Sequence, residues 1–160
     1  MNADELKAMQ ASIKQSYRDN PNSALKTMQA RGHVVQESVH CDVESRQGAI
    51  AAGLHPAAGG DGSWACSGDM LLQALVGCAG TTLAAVATAM GITLKRADVS
   101  AEGVLDFRGT LGVSKETPVG FREIRLHFGI DAEAPQEQLE TLVKLAKRYC
   151  VVWQTLAQTP

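Results

Sequence analysis

The chain has 160 residues, with 15 Lys and Arg against 17 Asp and Glu and a formal net charge of −2. That length suits one domain with a core of its own, and the near-neutral charge leaves no electrostatic footprint for nucleic acid or an anionic membrane. Four scattered cysteines, Cys41, Cys66, Cys78 and Cys150, without a CxxC pair, argue against a secreted disulfide framework and against a structural zinc site.

The N-terminal residues are polar with a helical period, Leu6, Met9, Ile13 and Tyr17 recurring at three- and four-residue steps. Asp4, Glu5 and Lys7 interrupt the first turn and no apolar stretch follows, so the segment does not read as a signal peptide. Asn20-Pro21-Asn22 breaks this helix, and a short second one is expected from Ser23 to Ala30, ending at Arg31-Gly32.

From His33 the period becomes two, with Val35, Val39, Cys41 and Val43 on one face and Gln36, Ser38, His40 and Asp42 on the other. Arg46-Gln47-Gly48 reads as a turn, Ala49–Leu54 as a returning strand, and His55 to Gly62 as a loop of small residues.

Between Asp69 and Lys95 the chain runs 25 residues without a charge. Ser67 before it is a natural N-cap, and Asp69 suits the positive end of a helix dipole. The segment is long enough to cross a bilayer. Gln73, Thr81, Thr82, Thr88 and three glycines within it, no second hydrophobic segment and a mean hydropathy of −0.06 favour a soluble, cytoplasmic protein instead. Such a helix is expected to be buried nearly all round.

After it, Val99, Ala101, Gly103, Leu105 and Phe107 alternate with polar residues. Beyond a loop from Gly109 to Pro118, Ile124, Leu126, Phe128 and Ile130 do the same, which predicts an antiparallel pair with one wet face. Pro135 sits at a helix start. Glu137 and Glu140 follow it, and Lys144, Lys147 and Arg148 close the far end, each charge where the macrodipole favours it. Cys150 then opens a last apolar segment. The order of helix, strands, long helix, strands and helix is that of an α+β chain.

Cys78 is the chemically suggestive residue. It shares a helix face with Leu71, Ala74, Leu75, Thr81, Thr82 and Ala85, most of them small, so another backbone can approach closely. Cys150, at a junction between helical segments, is the second thiol best placed to reach it. A disulfide needs Cα atoms within about 4.4–6.8 Å, and a buried free cysteine can equally be inert packing. Cys66 and the four histidines read as structural. Trp64 and Trp153 read as core residues or as the wall of an apolar pocket.

The segment SGDMLLQALVGCAGTTLAAVA, the segment RYCVVWQTL and the strand–helix order between them resemble the OsmC/Ohr family of thiol-dependent peroxidases. The resemblance covers the chain from about Gly32, leaving residues 1–31 as an N-terminal helical appendage to a domain at 32–160. It implies antiparallel sheets around a long buried helix, in an intertwined homodimer. It further implies a peroxidatic Cys78 and a resolving Cys150, with Arg46 as the cation that holds the thiolate. An organic hydroperoxide would be the substrate, an external dithiol or lipoyl-type reductant the partner, and no bound cofactor or metal would be needed. The branch named for hydroperoxide resistance has a glutamate ten residues before the reactive cysteine. That place is Gly68 here, with Asp69 one residue later, so Asp69 is the candidate for orienting the arginine. Val151-Val152 follows Cys150 where the family often has proline. These departures keep open two other readings: a non-catalytic member binding a small apolar ligand at the dimer interface, and a thiol–disulfide exchange protein.

Overall fold

The first helix, α1 (Ala3–Asp19), is fixed at its start by a reciprocal cap. The Asn2 side chain accepts the Glu5 N–H at 2.9 Å, and Glu5 accepts the Asn2 N–H at 2.9 Å. The computed structural model describes residues 1–46 and 48–158. Pro21–Ala24 is a single 3-10 turn, and the second helix expected over Ser23–Ala30 is absent. Leu25 and Met28, its apolar residues, are 77% and 92% exposed, and so short a helix does not persist without packing.

The two-residue period from His33 becomes a hairpin, not one run. Strand β1 (Gly32–Val35) pairs antiparallel with β2 (His40–Val43) across a turn at Gln36–Ser38. Val39 closes that turn at φ 54° and ψ 49°, a left-handed conformation costly for a β-branched residue. Strand β3 (Ile50–Gly53) returns antiparallel along β2, and the short β4 (Ala65–Cys66) adds parallel to β3. Of the turn between β2 and β3, Gln47 lies outside the described residues. The long strands β5 (Leu94–Leu105) and β6 (Phe121–Ala132) form a second, two-stranded sheet, with the inward positions alternating as the sequence predicts up to Leu105; Phe107, expected to continue that face, lies instead in a helical turn capped by Asp106. The central helix α2 (Ser67–Ala89), the single turn α3 (Phe107–Thr110), α4 (Gln136–Tyr149) and α5 (Val151–Ala157) complete an α+β fold.

The chain divides into two compact units: Met1–Thr27 with Leu75–Ser100 and His127–Pro160, and Met28–Ala74 with Ala101–Leu126. The core of the first unit gathers Leu83, Ala87 and Ile92 with Leu142 and Ala146 from α4, and Phe128 and Ile130 of β6 pack against it. Full burial of Leu83 or Leu142 stabilises this unit by roughly 1.5–3 kcal/mol each.

Among the described residues, α2 is the one helix long and apolar enough to cross a membrane. Its buried positions, Leu75, Ala79, Leu83 and Ala87, make one stripe at steps of four residues. The expectation of burial nearly all round does not hold within a single chain, because Ala74, Gly77, Thr81 and Ala84 form an exposed stripe of small residues.

In the second unit, Phe121 lies against Gly103, where a Cβ would come within 2.6 Å of the ring. Asp106 caps α3. Its carboxylate accepts the Arg108 N–H at 3.1 Å and the Arg108 guanidinium at 2.6 Å, with Arg122 3.8 Å away. The Arg108 hydrogen bond, the largest influence, holds this carboxyl down at about 2. An acid depressed on folding contributes stability above its unfolded pKa of ~3.9 and loses it as pH falls through the folded value. Asp106→Asn is therefore expected to lower the urea midpoint at pH 6 and to converge on the parent toward pH 2. An equal deficit at both pH values would refute the assignment.

Candidate active site

The stripe Leu142, Ala146 and Cys150 continues the buried face of α4 at steps of four residues, which carries Cys150 to full burial at the end of that helix. At Cys150 the backbone leaves the helical region, with φ −75° and ψ 110°, and α5 restarts at the next residue. The Cys150 N–H still closes α4 on the Ala146 carbonyl at 3.0 Å. Its own carbonyl accepts the Gln154 N–H at 3.0 Å, and its Sγ accepts the Trp153 N–H at 3.4 Å. The cysteine is thus the N-cap of α5, a place usually held by a side-chain oxygen. Gln154 locks the corner by donating its side-chain amide to the Lys147 carbonyl at 2.9 Å, and the Lys147 ammonium sits 5.2 Å from the Trp153 ring centroid.

This corner faces Cys78, on α2 in the same unit. Both cysteines are free thiols, and each influences the other's ionisation. Burial works against ionisation of Cys78 and is the largest single influence. It is outweighed by hydrogen bonds from the Val152 N–H, the Cys150 thiol, the Val151 N–H and the Thr82 hydroxyl, which together bring Cys78 below an ordinary thiol. The single Thr82 proton is shared with the Cys78 carbonyl, 2.7 Å from the hydroxyl oxygen, which makes Thr82 the least of these donors. For Cys150 the balance is reversed. Burial pushes it up, the Trp153 N–H opposes, and the neighbouring Cys78 raises it further. One thiol is poised to ionise and the other to keep its proton, an asymmetry that suits a nucleophile beside a proton donor.

The sequence points to a cation, Arg46, to oppose burial, and no residue pattern marks these amides. The available signal was the missing proline after Cys150, which leaves the Val151 N–H free to donate.

Arg46 and Asp69 lie in the other unit. Arg46 is exposed in the turn after β2, where the Ser45 and Gly48 N–H groups each reach the other's carbonyl. Asp69 is exposed in the first turn of α2 and borders a cavity of about 360 Å³ shared with His55, Cys66, Leu72, Phe107 and Phe121. Gly68 presses against Phe121, where a Cβ would lie 3.4 Å from the ring and 3.6 Å from the Cys66 Sγ. Trp64 stacks on His40 with centroids 4.4 Å apart. His55 stacks on Phe107 and accepts the Ala57 N–H. Among the described residues no group of three or more His, Cys, Asp or Glu side chains could hold a metal ion.

Comparison with known proteins gives a family match and a set of structural neighbours. The family model described as OsmC-like protein matches residues 60–160. No curated protein matches the chain by sequence. The fold is similar to that of an OsmC-like protein from Mycoplasma pneumoniae, at 21% identity and a TM-score of 0.69 over 84% of this chain and 89% of that one. It is similar also to a Legionella pneumophila protein described as the organic hydroperoxide resistance protein OsmC, at 21% identity and a TM-score of 0.63 over 83% and 90% of the two chains. The organic hydroperoxide resistance protein OhrB of Bacillus subtilis matches at 16% identity and a TM-score of 0.56 over 85% and 94%. At such identities the likeness speaks for the fold.

Proposed function

The chain belongs to the OsmC-like protein family, and on that premise we propose that it is a thiol-dependent peroxidase that reduces organic hydroperoxides to alcohols. The observation that carries this reading is the paired Cys78 and Cys150, one thiol depressed and one raised, at the start of α5. The Cys78 thiolate attacks the distal oxygen of the hydroperoxide, forming an S–O bond as the O–O bond breaks. The departing alkoxide takes a proton from Cys150 and leaves as the alcohol. The Cys150 thiolate then attacks Cys78 Sγ, the S–O bond breaks, the released hydroxide is protonated to water, and a disulfide remains. An external dithiol, lipoyl-type in kind, restores both thiols by exchange. Arg46 is the proposed cation that polarises the peroxide, and Asp69 the carboxylate that orients it. The exposed stripe Ala74, Gly77, Thr81 and Ala84 fits close pairing of two α2 helices in a homodimer, in the cytoplasm where thiols stay reduced.

The test is consumption of cumene hydroperoxide with dihydrolipoamide as reductant, with the protein's mass in solution measured by light scattering. Turnover is expected, with two thiols per chain lost to stoichiometric oxidant and a mass twice the 17.0 kDa of one chain. No consumption, with both thiols still titratable, would move the weight to a ligand-binding member of the family. A 17.0 kDa species would remove the dimer.

A further inference from the structure

Strand β6 and helix α4 border an open groove of about 530 Å³, within the range of about 300–1,000 Å³ usual for small-molecule sites. Its floor is apolar, with Phe128 and Ile130 from the strand and Leu139 and Val143 one turn apart on the helix. Three charged side chains line it, Lys144, Lys147 and Glu140. Glu140 already accepts the Gln136 side-chain amide at 3.2 Å. Lys144 makes no ion pair among the described residues, and the recorded contact of the Lys147 ammonium is with the Trp153 ring at 5.2 Å. The groove therefore has an apolar floor and a charged rim on α4, where Lys144 and Lys147 outnumber Glu140 and neither lysine makes an ion pair among the described residues.

We propose that this groove binds a long-chain carboxylate, its alkyl chain on Phe128, Ile130, Leu139 and Val143 and its head between Lys144 and Lys147. Charge complementarity selects this occupant. A neutral alkyl molecule would leave both ammonium groups unused, and a cation would be repelled by them. The apolar floor supplies most of the affinity, while the partly exposed lysines fix orientation and select for the acid. Binding is also sensed. A carboxylate that draws the Lys147 ammonium away from Trp153 changes the surroundings of the indole whose backbone N–H rests on Cys150 Sγ. Binding in this groove requires no thiol chemistry and stands whether or not Cys78 turns over peroxide.

The test uses 11-(dansylamino)undecanoic acid as probe, at low ionic strength, on the full chain carrying Trp64→Phe so that Trp153 is the only tryptophan. Expected are saturable dansyl enhancement and a matching change in Trp153 emission. Lys144→Glu is expected to weaken binding about fivefold and Lys144→Arg to restore it, consistent with the modest worth of a rim ion pair. The methyl ester of the probe should bind more weakly than the acid and be insensitive to Lys144→Glu. Absence of saturable binding would overturn the proposal. So would equal binding of acid and ester that neither Lys144 variant alters, since the groove would then be apolar packing without recognition.

Discussion

Cys78→Ser is expected to abolish hydroperoxide turnover, and Cys150→Ser to consume one equivalent of peroxide per chain and then stop. A serine hydroxyl does not ionise near neutral pH, so the variant at 78 has no nucleophile, and a fall of more than about 10³-fold toward the uncatalysed rate follows. Cys150→Ser keeps a hydrogen-bond donor beside Cys78 but removes the attacking sulfur, leaving a sulfenic acid that dimedone traps. Cys150→Ala separates the two roles of that residue. It also removes a donor that lowers Cys78, so the first oxidation itself should slow relative to the serine variant. Peroxide loss measured in a single-turnover experiment and dimedone adducts read by mass spectrometry check all three. Retained turnover in Cys78→Ser would sink the mechanism. Undiminished cycling in Cys150→Ser would mean that the external dithiol resolves the sulfenic acid directly.

The elements with strong period were legible from residues alone, because one physical cause dominates each. Most of the charge-free run between Asp69 and Lys95 is α2, the alternation around Val99 and Ile124 is β5 and β6, and the segregated charges of 137–148 mark α4. Where two causes compete the reading was less complete. The hairpin at Gln36–Ser38 depends on Val39 adopting a left-handed backbone, against its own preference. The helix expected over Ser23–Ala30 has acceptable propensity but nothing to pack against. The parallel addition of β4 to β3 is a tertiary choice that no local pattern encodes.

The candidate site divides in the same way. The closeness of Cys78 and Cys150 follows from the Leu142–Ala146–Cys150 stripe at four-residue steps and from the place of Cys78 beside Ala79, at the edge of the buried α2 stripe. What lowers Cys78 could not be read so simply, since it depends on a break of one residue's ψ at Cys150, which aims the first amides of α5 at the sulfur. A search for charge points to Arg46, whereas the amides carry no formal charge and leave no mark in composition.

Those amides make a sharp prediction. Val151→Pro should leave α5 in place yet slow alkylation of Cys78 about tenfold at pH 7. Cys150 already has the extended ψ that a following proline requires, and Val151 is the first helical residue, where proline's fixed φ is favourable. What is lost is one of the N–H groups that hold the thiolate, the lesser of the two backbone donors, Val152 being the larger. A hydrogen bond to a charged group is worth about 1.5 kcal/mol, or roughly a factor of ten in the thiolate equilibrium. The effect has a direction in pH. Because folding depresses the Cys78 pKa, its stabilisation is full above the unfolded thiol value of ~8.5 and declines as pH falls through the folded one. The variant should therefore lag the parent at neutral pH and converge on it in alkali, where both are fully ionised. Monobromobimane alkylation from pH 5 to 10, with Cys41, Cys66 and Cys150 replaced by serine, reads this directly. Superimposable profiles would show that the Val151 amide does not hold the thiolate and would return that role to a cation such as Arg46.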